Sequence, residues 1–169
     1  MEVASLNTGR RHHGAAAVGN VIFVVGGRDV YDNVLSSVEA LDLGVNGGRW
    51  EEKAPMPTAR TMLAVAASGT RLFAVGGQSL DGNFDLEVHD TLEIYESATD
   101  SWSAAAPMPT ARGQLAAAIV GNTLFALGGF DPSTGDVEAF EAFDTEGGSW
   151  AAAEPMATAR FRVAAVAGP

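Results

Sequence analysis

Apolar residues in this chain come in short runs, and the runs return in the same order at a fixed distance. Gly14–Val18 is followed after a turn by Val21–Val25, Leu63–Ala67 by Arg71–Val75, and Ala116–Ala118 by Leu124–Leu127. The turns are Gly19-Asn20, Ser68-Gly69-Thr70 and Gly121-Asn122. A Gly-Asn pair between β-rich runs signals a tight hairpin, because glycine takes positive φ without a steric cost. A third run alternates apolar and polar positions, as in Thr91–Tyr95, and a fourth, more polar segment starts at Trp102. Proline then ends the pattern (Pro107, Pro109), since it offers no N–H to a ladder. No stretch carries a helical period. The pattern predicts units of four short antiparallel strands, each unit about 50 residues long.

Side-chain size grades across each unit. First strands are rich in alanine: Ala15-Ala16-Ala17, Ala64-Val65-Ala66-Ala67 and Ala116-Ala117-Ala118. Second strands are bulky and apolar on both faces, which fits sheets sandwiched between neighbouring sheets. Small residues inside and large ones further out suit blades converging on an axis, the layout of a β-propeller. Landmarks punctuate every unit: Gly26-Gly27, Gly76-Gly77 and Gly128-Gly129 after the second strand; Trp50, Trp102 and Trp150; Pro55-Met56, Pro107-Met108 and Pro155-Met156; and arginines at 60, 112 and 160, with Arg10 closing a degenerate earlier copy, Thr8-Gly9-Arg10. Two adjacent glycines permit a sharp reversal or a close backbone approach that side chains would block.

Taken together these residues resemble the kelch repeat: a di-glycine, an aromatic-acidic pair on the third strand, a Trp about seven residues later, then Pro-Met and Arg. Tyr95-Glu96 and Phe143-Asp144 hold the aromatic-acidic place; Leu41-Asp42 departs from it. The Gly-His and terminal Trp-Asp pairs of WD-type propellers are missing. The resemblance implies an all-β fold, a kelch-type β-propeller segment of three four-stranded antiparallel blades. The expected division is 1–9 as the tail of a preceding repeat, 10–59, 60–111 and 112–159 as blades, and 160–169 as the first strand of a following blade. Closed propellers have about four to eight blades. The ring is therefore expected to be incomplete in one chain and to need further blades, from a longer parent chain or from a second copy; the overlap at 160–169 favours the longer parent.

Composition narrows the function. The chain has 169 residues, 21 acidic against 10 basic, and a net charge of −11. That speaks against nucleic acid as a partner, which needs clustered Lys and Arg. With no cysteine, disulfides and thiolate chemistry are excluded, and no metal or other cofactor is expected. No apolar run is long enough to span a bilayer and no charged-then-apolar leader opens the sequence, so a membrane role is not expected; the compartment stays open. Asp81, Asn83, Asp85 and Glu87 alternate as oxygen donors, but Leu86 and Leu92 stand where an EF-hand needs Gly and Glu, so an acidic solvated loop tip is expected.

A protein or peptide partner is expected at one rim. Because antiparallel strands alternate direction, the loops joining strands two and three share a face with the segments joining successive units. That face collects Arg28, Tyr31, Gln78 and Phe130 beside Arg10, Arg60, Arg112 and Arg160. The arginines admit two roles: clamping a carboxylate of a ligand, or capping free carbonyls between blades, a task needed in every unit. Two places after each Arg stand His12, Met62, Gln114 and Arg162, where the copies disagree and where function is expected to lie. The expected function is a non-catalytic interaction module. The alternative implied by the resemblance is part of a carbohydrate-active enzyme such as a sugar isomerase or lyase, for which a central pocket lined by Arg and Glu would be the mark.

Overall fold

The structure is a computed structural model that describes residues 4–45, 48–80 and 85–167. Asp81 and Asn83 of the donor-rich loop lie outside the described residues, as do the ends of the two flanking segments, 1–3 and 168–169. Three four-stranded antiparallel sheets follow one another. The first contains β1 (Gly14–Val18), β2 (Val21–Val25), β3 (Val38–Asp42) and β4 (Glu51–Lys53). The second contains β5 (Ala64–Ser68), β6 (Arg71–Val75), β9 (Leu92–Glu96) and β10 (Ser101–Ala104), with a small hairpin, β7 (Gln78–Leu80) and β8 (Leu86–Val88), rising from its middle. The third contains β11 (Ala116–Val120), β12 (Thr123–Leu127), β15 (Phe140–Asp144) and β16 (Trp150–Ala152), with the short hairpin β13 (Phe130–Asp131) and β14 (Gly135–Asp136).

Each sheet is a simple meander, and the innermost strands stand side by side, β1 against β5 and β5 against β11. Alanine and glycine dominate these strands because there is no room for more. A Cβ on Gly14 would sit 2.3 Å from Cγ2 of Val65 in the next blade. The core lies in the two seams rather than within a sheet. Phe23, Val25, Met56, Leu72, Ala74 and Tyr95 fill the seam between blades one and two. Phe73, Val75, Leu92, Met108, Leu124 and Phe143 fill the seam between blades two and three. Strand β6 serves both: alternate residues point to opposite faces, so Leu72 and Ala74 enter one seam and Phe73 and Val75 the other. That is why second strands carry no polar face.

The tryptophans sew the blades together. The indole N–H of Trp50 donates to the Ala4 carbonyl, that of Trp102 to Ala54 and that of Trp150 to Ala106, each at 2.8 Å. Each di-glycine is a contact point as well as a turn. Gly26 and Gly27 have φ of 64° and 98°, and Cβ atoms there would lie 2.5 Å from the Arg60 carbonyl oxygen and 2.7 Å from that of Arg11. One element goes beyond the sequence reading. The segment after Gly76-Gly77 holds the β7–β8 hairpin rather than an irregular loop. Residues 163–167 carry no strand assignment. The described blades form an arc and not a closed ring. No helix among the described residues is long and apolar enough to cross a membrane.

Candidate functional site at the axial mouth

Two rows of residues run from blade to blade where the chain passes from one unit to the next. The first is the repeated arginine. The side chains of Arg10, Arg60 and Arg112 have no exposed surface. Arg60 donates from Nη1 to the carbonyls of Gly76 (2.6 Å) and Thr91 (3.0 Å), and from Nη2 to Oε2 of Glu93 (2.8 Å). Arg112 reaches Ala126 O at 3.1 Å and Glu141 Oε2 at 2.6 Å. Arg10 reaches Gly26 O at 3.0 Å, Ser37 O at 2.9 Å and Glu39 Oε1 at 2.5 Å. Arg10 and Arg60 therefore cap carbonyls at the ends of strands two and three, Arg112 caps Ala126 on strand two and the Thr110 carbonyl, and each neutralises a buried carboxylate. Burial lowers the pKa of Arg60 and Arg112 below the ordinary arginine value, and Glu93 and Glu141 oppose that pull. The remaining oxygens of these carboxylates are also engaged, Glu93 by Thr58 Oγ1 at 2.8 Å and Glu141 by Thr110 Oγ1 at 2.7 Å.

The second row stands two residues further on. His12, Met62, Gln114 and Arg162 have φ of 55°, 52°, 56° and 52°, the left-handed region that side chains other than glycine's rarely occupy. Four non-glycine residues accept that cost because the backbone there closes a ladder across blades. Met62 N–H donates to His12 O, Gln114 N–H to Met62 O and Arg162 N–H to Gln114 O, each at 2.8 Å. The left-handed kink turns their side chains toward a common open mouth of about 320 Å³, which His13, Leu63 and Leu115 also line. The Arg162 Nε–H donates to Gln114 Oε1 at 2.9 Å across the mouth.

Around the mouth stand the loops after each di-glycine. The residue after each arginine bridges the residue after each Gly-Gly by paired backbone bonds: Arg11 with Arg28, Thr61 with Gln78, Gly113 with Phe130. Arg28, Gln78 and Phe130 are thus equivalent positions with unequal access. Gln78 is buried and donates from Nε2 to the Met62 sulfur at 3.2 Å. Phe130 is half-buried, packing on Phe161 with ring centroids 6.0 Å apart. Arg28 lies 3.7 Å from Asp32, which also pairs with Arg11. Tyr31 stands 83% exposed at the tip of the first loop. Arg160 is exposed, unlike its three counterparts. Arg60, Arg112 and Gln78, expected on the partner face, are buried: the Nη atoms of the arginines bond inside the blades, their Nε atoms are buried without a partner among the described residues, and the Gln78 amide turns to Met62.

The mouth is electropositive in an acidic chain. His12 is held below its ordinary pKa by burial first and then by Arg11, Arg162 and Arg28, with Asp32 opposing. The lining residues are two imidazoles, a thioether, an amide, a guanidinium and two leucines; Glu39, Glu93 and Glu141 lie buried beneath it and paired. Among the described residues no group of three or more His, Asp or Glu is placed to hold a metal ion. Sequence reasoning missed these three glutamates. Their signal was present: each stands two residues before the aromatic-acidic position, at Glu39, Glu93 and Glu141. The separation from Arg to Glu is 29, 33 and 29 residues, and the longer β7–β8 hairpin obscures the match.

Comparison with known proteins follows the same division of the chain. The family model for the kelch motif matches residues 9–57, 59–109 and 111–157, one match per blade. The chain is 29% identical over 133 residues to beta-scruin of Limulus polyphemus, covering 78% of this chain and 14% of that protein. It is 32% identical over 122 residues to human Kelch-like protein 33, covering 72% and 22%, and 33% identical over 129 residues to mouse Kelch-like protein 35, covering 76% and 21%. The chain thus spans less than a quarter of the length of each of these relatives. The solved structure of YjhT superposes with a TM-score of 0.79 at 13% identity, over 92% of this chain and 54% of that one, a likeness of fold. With three meander blades, a di-glycine and a buried Arg–Glu pair in each, and a motif match on every unit, the chain belongs to the kelch-repeat family.

Proposed function

We propose that this chain is a kelch-repeat protein-interaction module that receives a partner segment at the axial mouth. The observation that carries the reading is the left-handed row. The backbone fixes four side-chain positions on one surface by an identical device in each unit, and the sequence places a different chemistry at each: His12, Met62, Gln114 and Arg162. A rigid frame presenting varied side chains is what selective recognition requires, and variable loops on one face of a repeat array are the usual interaction surface. The kelch-like names of the relatives support the same class of role.

The chemistry favours a segment carrying a carboxylate. Arg162, Arg28 and Arg11 surround the mouth, with Leu63 and Leu115 as its apolar floor. Charge-assisted bonds to guanidinium would orient the acid while the leucines take an apolar neighbour. Exposed Tyr31 and half-buried Phe130 extend this surface outward, and Arg10 supports it from below by holding the loop carbonyls. Selection of a displayed random peptide library on the chain tests the reading. Acidic sequences should be enriched, and their binding should fall about tenfold or more in Arg162→Ala, the scale of one charged hydrogen bond. Enrichment of sequences indifferent to Arg162 and His12 would refute it.

A further inference from the structure

The two seams between blades are built alike except at one point on the face opposite the mouth. In the seam between blades two and three, Arg71 opens strand β6. Its guanidinium lies 5.3 Å from the centroid of the Phe73 ring, donates to the Thr145 carbonyl of blade three at 3.4 Å, and stands directly across from Glu96 in the sheet register. The neighbouring Ile94 occupies the rest of the space, packed against the seam core. In the seam between blades one and two the corresponding residues are Val21 and Ala40. Both are shorter, and a cavity of about 350 Å³ opens there.

Everything that holds the Arg71 guanidinium has its counterpart around this cavity. Phe23 takes the place of Phe73, Asp42 stands across from Val21 as Glu96 stands across from Arg71, and Ser97 of blade two takes the place of Thr145; all three line the cavity. The turn that follows also matches. Asp42 Oδ1 accepts the Gly44 N–H at 2.7 Å, as Glu96 Oε1 accepts that of Ala98 at 3.1 Å. Blade two adds a carboxylate that blade three lacks. Asp100, with φ of 47° where blade three uses Gly148, accepts bonds from Tyr95 Oη–H (2.7 Å) and Ala54 N–H (2.8 Å). Three carboxylates line the cavity (Asp42, Glu51, Asp100) against Arg49 and Lys53, and Lys53 is tied to Glu51 at 2.9 Å.

We propose that this seam cavity is a binding site for a guanidinium group, filled by an arginine side chain of a partner protein as Arg71 fills the next seam from within. The ring face supplies the cation–π contact, Asp42 the counter-charge and the Ser97 carbonyl the hydrogen-bond acceptor. An apolar-walled slot with a few convergent polar groups suits one long amphipathic side chain, and the net charge of −11 draws a cationic segment toward it. The site lies at the opposite strand ends from the mouth and does not depend on the mouth's role.

Calorimetric titration of the chain with acetyl-arginine-amide, acetyl-citrulline-amide and free arginine tests this. Blocked arginine should bind roughly tenfold tighter than the neutral, nearly isosteric citrulline, the scale of one charge-assisted contact. Val21→Arg should abolish that binding and raise the unfolding temperature, since it rebuilds the Arg71 arrangement. Asp42→Asn should weaken binding without altering the fold. Equal binding of the citrulline probe, or undiminished binding by a folded Val21→Arg variant, would overturn the site. Tighter binding of free than of blocked arginine would overturn the partner-borne source in favour of the amino acid itself.

Discussion

Arg60 and Met62 are two residues apart and belong to different parts of the molecule. Arg60 is sealed in its blade, its guanidinium bonded to backbone carbonyls and a carboxylate, and Arg10 and Arg112 are likewise buried against carbonyls and a carboxylate. Met62 sits on the left-handed backbone at the mouth, where its counterparts are His12, Gln114 and Arg162. The inner position is constant because its partners are backbone carbonyls and one glutamate, present in every unit. The outer position is free to vary because its structural work is done by backbone N–H and C=O alone. Repetition therefore marks scaffold and disagreement marks surface, and substitutions across the two rows should separate stability from binding.

The largest effect is expected in the inner row. Arg60→Ala leaves Glu93 buried without its cation, a change that costs about 3–5 kcal/mol, and should melt the chain at a much lower temperature. The double replacement Arg60→Met with Glu93→Leu should recover part of that loss, since it removes the unpaired charge but leaves the Gly76 and Thr91 carbonyls uncapped. Arg160→Ala, the same repeat position but exposed, should change stability by no more than about 0.5 kcal/mol. Thermal unfolding of the three variants checks this, and a large loss at Arg160 would erase the distinction between the rows.

Next in size is the seam. Trp102→Phe keeps the ring against Tyr95, 5.2 Å away between centroids, but removes the indole bond to Ala54. A loss of about 1 kcal/mol is expected, that of one hydrogen bond. Denaturant unfolding measures it; no loss would mean that the indole N–H is satisfied equally by water and that packing alone joins the blades.

The sequence made the blades legible because their punctuation is covalent and local: di-glycine, proline and tryptophan sit at fixed places in every unit. The kelch resemblance added the aromatic-acidic place, where Tyr95 and Phe143 now pack against Trp102 and Trp150. Burial of particular polar residues was not legible. Gln78 and Arg28 hold the same repeat position, and only the fold shows that Gln78 turns inward to the Met62 sulfur while Arg28 faces Asp32. The glutamate partners were masked by unequal loop lengths. The seam cavity could not be read from blade one alone, because Val21 acquires meaning only beside Arg71.

In the outer row the expected sign reverses. Gln114→Gly removes a side chain from a position with φ of 56°, and left-handed backbone costs an L-residue on the order of 1 kcal/mol relative to glycine. Stability should hold or rise by up to about 1 kcal/mol, while binding of a mouth ligand that uses the Gln114–Arg162 pair should weaken. A stability loss would show that the side chain, and not only the backbone ladder, braces the mouth.

The smallest effect is a pH dependence of stability carried by histidines behind the outer row. His13, beside the mouth, and His89, behind the second hairpin and 2.8 Å from Ser79 Oγ, are both held below the ordinary value of 6.5, chiefly by burial. The unfolded chain therefore binds more protons than the folded one between the lowered values and 6.5, and stability rises with pH through that window. Their contribution is fully present above about pH 6.5 and declines as pH falls toward the folded values. Melting temperatures from pH 7.5 to 5 should fall in the wild type and fall less in His13→Gln/His89→Gln. An unchanged slope in the double variant would place the acid sensitivity outside these two histidines, with His12 at the mouth, also held below its ordinary value by burial, as the next group to replace.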